Sequence, residues 1–141
     1  MSLRQIQKKS PRFIIGLMSG TSTDGIEAAL VRVKGTGESL AIKLIANQSF
    51  PYSSDLRTRL LSEHLSAKEV CQLNFELGER FAEASLALIE VAKGQELEVD
   101  FVASHGHTVA HCPPHANEKI GTLQIGEAAV KLIEEDRKST R

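Results

Sequence analysis

The sequence predicts an α/β fold, with a three-stranded antiparallel meander, packed helices, and a further strand running parallel to its sheet neighbour. Three observations carry that expectation. Before Pro51 the apolar residues form short continuous or alternating runs, each closed by a turn. After Pro51 they recur at steps of three and four, the spacing of one helix face. A last short apolar run then follows the helical stretch, and a helix between two strands is the usual crossover of a parallel pair.

Each element follows from its residues. Residues 1–12 read as a flexible leader that Pro11 brings to a stop. Phe13-Ile14-Ile15-Gly16-Leu17-Met18 is a short apolar run suited to a strand buried on both faces. Ser19 to Gly25 are seven small or polar residues and form a turn. Ile26 to Lys34 returns to strand character and ends at Gly35-Thr36-Gly37, after which Leu40 to Ile45 alternates with a period of two. Ser54 or Asp55 is placed to cap a short helix through Glu63. Ser66 with Glu69 three residues on is a capping box, and Val70, Leu73, Leu77, Phe81, Ala84, Leu88 and Val91 line one face of the helix it starts. Gly94 is placed to end that helix in a left-handed conformation. Val99 to Ala103 is the parallel strand, His105 to Gly121 a Gly/Pro/His-rich loop, and Glu127 to Glu135 a final helix. The lobe thus spans 13–135, and a charged tail, 136–141, follows.

Composition narrows the function classes. The formal net charge is −1 and there is no Trp and one Tyr, so neither an electrostatic footprint nor a stacking platform for nucleic acid is present. The same charge argues against an anionic membrane surface, and the run from Phe13 to Met18 is too short for a signal core or a span. Cys71 and Cys112 make no disulfide framework and read as reduced thiols, which places the expectation in the cytoplasm.

The first turn is the candidate site. With little side-chain bulk around Gly20 and Gly25, backbone amides can approach a phosphate, and the hydroxyls of Ser19, Thr21 and Ser22 can donate to its oxygens. Asp24 would repel a phosphate but suits a Mg²⁺ bridging phosphates, directly or through water. No Gly-Lys-Ser/Thr follows, so this is no Walker loop. On residue types alone, a plain hairpin turn rich in Gly and Ser is the favoured reading.

Gly16-Leu17-Met18-Ser19-Gly20-Thr21-Ser22-Thr23-Asp24-Gly25 resembles, almost residue for residue, the opening motif of the anhydro-N-acetylmuramic acid kinases. Two further segments resemble that family in the same order. Ser104-His105-Gly106-His107-Thr108-Val109-Ala110-His111 is similar to its His-Gly-Gln-Thr-Val-x-His segment, and Thr122-Leu123-Gln124-Ile125-Gly126-Glu127 to its Thr-x-Gln-Ile-Gly-Asp/Glu segment. The resemblance implies a ribonuclease-H-like lobe of the actin-like ATPase type, whose strand order the periodicity already matches. It implies a reaction in which water opens the 1,6-anhydro bond of anhydro-N-acetylmuramic acid while the γ-phosphate of ATP passes to O6, a step of peptidoglycan recycling. By carry-over, Ser19, Gly20, Thr21, Ser22, Thr23, Asp24, Gly25, Ile26 and Glu27 bind ATP, Asp24 holds Mg²⁺, and His105, Thr108 and Gln124 line the sugar cleft. His107 stands where the family usually has Gln. The family's general-base Asp falls beyond Arg141, which leaves no catalytic residue in this chain, and the chain is expected to be a truncated, inactive piece. The partners expected are ATP and an anhydro amino sugar, with a homodimer or the missing second lobe covering exposed apolar surface.

Three rival readings come from the same residues. His105, His107, His111, Cys112 and His115 cluster within a short segment and are ligand types that zinc accepts, although their spacing matches no standard zinc site. Cys112 beside His111 offers a nucleophile and a base. A non-catalytic remnant, serving as an interaction or nucleotide-binding module, keeps the fold without the chemistry. Arg57, Arg59 and Glu63 read as a solvated helix face.

Overall fold

The computed structural model describes residues 3–114 and 119–128. The chain orders as α1 (Leu3–Lys8), β1 (Arg12–Ser19), β2 (Gly25–Lys34), a single 3-10 turn (Gly37–Ser39), β3 (Ala41–Pro51), α2 (Ser54–Leu60), α3 (Ala67–Lys93), β4 (Phe101–Cys112) and β5 (Gly121–Ile125). The strands make one sheet in the order β3-β2-β1-β4-β5. The meander is antiparallel throughout. As expected for a helical crossover, β4 runs parallel to β1, with Ile15 opposite Val102 and Leu17 opposite Ser104.

The core lies between α3 and one face of the sheet. Strand periodicity turns Ile15 and Leu17 of β1 and Ile26, Ala28 and Leu30 of β2 to that face, where they are buried. Leu73, Leu77, Phe81, Ala84, Leu88 and Ala92 of α3 cover them. The stripe steps from Leu88 to Ala92, so Val91 turns out to solvent rather than inward. The Ser66 capping box forms as the sequence predicts, with both the Ser66 and Glu69 side chains engaged.

Several boundaries depart from expectation for identifiable reasons. The leader is not featureless: Leu3–Lys8 is a helix, Ile6 is buried, and Lys9 pairs with the fully buried Asp100 carboxylate. Asp100 also accepts the Phe13 amide at 2.7 Å, which ties the leader to the start of β1. Ser53, one residue earlier than expected, caps α2 by accepting the Leu56 amide, and α2 ends at Leu60 rather than Glu63. Gly94 stays right-handed. The left-handed residue is Glu96, with φ of 56°, and the Leu97→Ala92 and Glu96→Lys93 hydrogen bonds close a Schellman motif around it.

The largest departure is the segment expected as a loop. From His105 to Cys112 the chain continues β4, then returns as β5 antiparallel to it, with Thr108 opposite Gln124. Pairing with β1 and β5 satisfies a backbone whose Gly and His content hides its strand character. The helix expected over Glu127–Glu135 lies outside the described residues from 129 on, as does the tail 136–141. Among the described residues no helix is long and apolar enough to cross a membrane.

Candidate nucleotide-binding bend

The bend between β1 and β2 is held from both ends. At its start, Ser19 is buried and makes two internal hydrogen bonds: Tyr52 Oη donates to Ser19 Oγ at 2.9 Å, and Ser19 Oγ lies 2.8 Å from His107 Nδ1. Ser19 Oγ thus links the Tyr52 phenol to the His107 ring in one buried hydrogen-bond chain. At the far end, the Tyr52 amide donates to the Asp24 carbonyl at 3.0 Å. One residue therefore clasps both ends.

Between these anchors the Thr23 amide closes a turn onto the Gly20 carbonyl at 3.0 Å. Thr23 is buried, has a φ of 56°, and its hydroxyl donates to the Thr21 carbonyl. What remains open is the crown. Thr21 and Ser22 are exposed, and their amides and hydroxyls have no protein partner among the described residues. Gly20 has free space, for a Cβ there would meet only Ser22 Oγ at 3.7 Å. Gly25 is closed in, since a Cβ there would stand 2.3 Å from the Phe50 carbonyl oxygen.

The expected ATP-binding residues thus divide. Gly20, Thr21 and Ser22 present donors to solvent, and Asp24 presents a carboxylate. Ser19, expected to offer its hydroxyl to phosphate, and Thr23, expected among the ATP-binding residues, both turn inward as braces. Ile26 is fully buried in the core, so only its backbone stands near the bend. Glu27 is exposed and accepts a hydrogen bond from Ser49 Oγ at 2.8 Å. The Asp24 carboxylate lies 3.0 Å from Arg57 Nη2 on α2.

The second cluster is on the β4–β5 hairpin. Gln124 Nε2 donates to Thr122 Oγ1 at 2.7 Å and reaches Thr108 Oγ1 at 3.4 Å. Of the expected sugar-cleft residues, this brings Thr108 and Gln124 together. His105 is exposed and joins neither of them in a hydrogen bond. Next to it Gly106 has a φ of 75° and packs so closely that a Cβ would stand 2.7 Å from the Ile125 carbonyl oxygen. His107, which stands where the family usually has Gln, is buried behind Ser19.

The metal reading does not assemble. Extension of β4 spreads His105, His107, His111 and Cys112 along a strand, and no group of three such ligands converges among the described residues. His115 lies outside the described residues. Cys112 and His111 are neighbours on one strand, so their side chains leave on opposite faces and do not form a nucleophile–base pair.

Sequence reasoning missed Tyr52 and did not foresee the partners of His107 and Arg57. Tyr52 is the one tyrosine of the chain, yet 33 residues separate it from Ser19, and nothing in the spacing links them. A cleft of about 910 Å³ is lined mostly by apolar residues such as Ile89, Leu97, Val99 and Phe101 and shares no lining residue with the bend.

Burial lowers the His107 pKa below its ordinary value of 6.5 and raises that of Tyr52. The sign for stability follows from linkage. An unfolded His107 binds its proton at a higher pH than the folded one, so its contribution is intact above pH 6.5 and declines as pH falls through and below that value. Urea midpoints measured at pH 7.5 and pH 5.5 are expected to fall on acidification, and His107→Gln is expected to remove part of that fall. An unchanged pH dependence in the variant would show that His107 is not buried as a neutral ring.

A sequence profile described as Anhydro-N-acetylmuramic acid kinase matches residues 12–137. The chain belongs to the anhydro-N-acetylmuramic acid kinase family. Among curated anhydro-N-acetylmuramic acid kinases, that of Caldanaerobacter subterraneus subsp. tengcongensis is 43% identical over 136 residues, which cover 91% of this chain and 34% of the relative. That of Bacillus cereus is 40% identical over 123 residues, covering 84% of this chain and 32% of the relative. The protein from Microcystis aeruginosa is 42% identical over 121 residues, covering 82% and 31%. The chain spans about a third of the length of the curated relatives it matches. The family match includes the bend and both strands of the hairpin, so both clusters lie in the shared region.

Proposed function

We propose that this chain supplies the phosphate-binding part of an ATP-dependent kinase that converts anhydro-N-acetylmuramic acid to N-acetylmuramic acid 6-phosphate. The observation that carries this reading is the open crown of the bend, Gly20 to Ser22, in a chain of this family. Free amides and hydroxyls there can donate to the oxygens of a triphosphate without first breaking internal bonds. Asp24 is the exposed carboxylate at the crown's edge, an oxygen donor of the type Mg²⁺ prefers, and it would hold that ion beside the phosphates. ATP supplies the phosphoryl group. The chain's own residues fix where that group sits, and such positioning is the main catalytic task in phosphoryl transfer.

Thr108 lies one residue past the His107 brace that ties β4 to the bend, and Gln124 stands opposite it on β5. In this reading their amide and hydroxyl groups bind the hydroxyls or acetamido group of the sugar, with exposed His105 nearby in sequence. The reaction belongs to cytoplasmic recycling of cell-wall sugars. A further lobe closes the cleft and covers exposed Met18, Leu44 and Phe101.

The 141-residue chain is expected to bind Mg-ATP without consuming it. Calorimetric titration, with amide shifts at Gly20 to Gly25, measures the binding. Asp24→Asn is expected to weaken Mg-ATP about tenfold, the loss of one charged ligand at roughly 1.4 kcal/mol per decade. ATP that leaves these amides unmoved would end the proposal.

A further inference from the structure

We infer that Arg57 is the cation of the phosphate site, held by Asp24 until a polyanion takes it over. The inference rests on the reading that the bend receives a triphosphate, and adds the residue that makes such binding electrostatically feasible. From Ser19 to Glu27 the bend carries two carboxylates, Asp24 and Glu27, and no Lys or Arg. A triphosphate brings several more negative charges to the same place. In the absence of Mg²⁺ backbone dipoles alone would have to offset that repulsion, and a cation from another element would lower it.

Arg57 is the candidate that the geometry provides. Its Nη2 stands 3.0 Å from Asp24 Oδ1, at the end of the crown. The other arginines of α2 and α3 have partners elsewhere: Arg59 pairs with Glu76 at 2.8 Å and with Asp55, and Arg80 pairs with Glu83. The base of Arg57 is fixed. Ser53 caps α2, Leu56 and Leu60 anchor it in the core, and the Tyr52 amide bond to Asp24 sets the helix against the bend. Its tip is open to solvent, for the Arg57 and Asp24 side chains are 51% and 68% exposed.

The exchange is favourable in direction. An exposed ion pair holds its members weakly. A guanidinium meeting phosphate oxygens forms parallel, charge-assisted hydrogen bonds, which are stronger. Transfer of Arg57 from Asp24 to the phosphates also leaves the Asp24 carboxylate free for Mg²⁺. In the free protein, the same ion pair keeps both groups at the site.

The test uses the 141-residue chain and two probes, ATP and inorganic tripolyphosphate, titrated with EDTA and again with Mg²⁺. With EDTA, Arg57→Gln is expected to weaken both probes about tenfold, the value of one charge-assisted contact, and to flatten the salt dependence. Arg57→Lys keeps the charge without the fork and is expected to recover part of the loss. Asp24→Asn releases Arg57 and removes a repelling carboxylate, so it is expected to tighten both probes in EDTA while weakening Mg-ATP. Arg59→Gln is expected to leave binding unchanged. Equal binding by wild type and a folded Arg57→Gln, or weaker binding of Asp24→Asn in EDTA, overturns the role of Arg57 alone. Failure of the wild type to bind either probe overturns the phosphate-site reading as well.

Discussion

Phe81→Ala is expected to destabilise the chain by about 3–5 kcal/mol, the cost of truncating a fully buried aromatic residue. Phe81 has no exposed surface and sits in the middle of the α3 stripe. It also supports the exit of β5, where Gly126 takes a φ of 125° and lies so close that a Cβ would stand 2.8 Å from the Phe81 ring. Asn74 holds the same exit, accepting the Gly126 amide at 2.8 Å through its side chain and the Glu127 amide at 2.9 Å through its carbonyl. A cavity beneath Gly126 therefore loosens β5 and the Thr108–Gln124 pair along with the core. Thermal melts followed by far-ultraviolet circular dichroism measure the loss. Phe75 lies on the same helix but is half exposed, so Phe75→Ala is the matched comparison and is expected to melt near the wild-type temperature. Equal melting of the two variants would place the centre of the core elsewhere.

Gly25→Ala is expected to abolish nucleotide binding and to cost about 1–3 kcal/mol, the range for forcing atoms into a packed site. The added Cβ would stand 2.3 Å from the Phe50 carbonyl oxygen and 2.8 Å from Pro51 Cα, both main-chain atoms that no rotamer change moves aside. Gly25 pairs with Pro51 at the end of the β2–β3 ladder, so the strain separates those strands where Asp24 meets Tyr52. Gly20→Ala provides the contrast. It meets nothing nearer than Ser22 Oγ at 3.7 Å, so the folded state is expected to tolerate it while the approach of a phosphate to the backbone is hindered. A Gly25→Ala protein that folds and binds as wild type would contradict the close packing described here.

The fold was largely legible because its signals are local. The Ser19–Gly25 turn, the alternation around Leu40 to Ile45 and the Ser66 capping box act within a few residues and decide their elements alone. The reach of β4 past Ala103 was not legible, since its hydrogen bonds come from β1 and β5, and Gly106, His107 and His111 are weak strand formers on their own. The bend was visible as a cluster of small and hydroxyl residues, but its division into open and braced positions was not. That division depends on Tyr52 and His107, which lie 33 and 88 residues from Ser19. Arg57 looked like an ordinary surface charge because its significance is the Asp24 across the gap between two elements.

The double clasp by Tyr52 has a mechanical consequence. With its phenol on Ser19 and its amide on Asp24, the two feet of the arch cannot spread, and only the span from Gly20 to Ser22 is free to flex. Hydrogen–deuterium exchange is then slow at Thr23 and Tyr52 and fast at Thr21 and Ser22. A guest settling there meets a receptacle already shaped, so the ordering entropy of the feet is lost during folding rather than at capture.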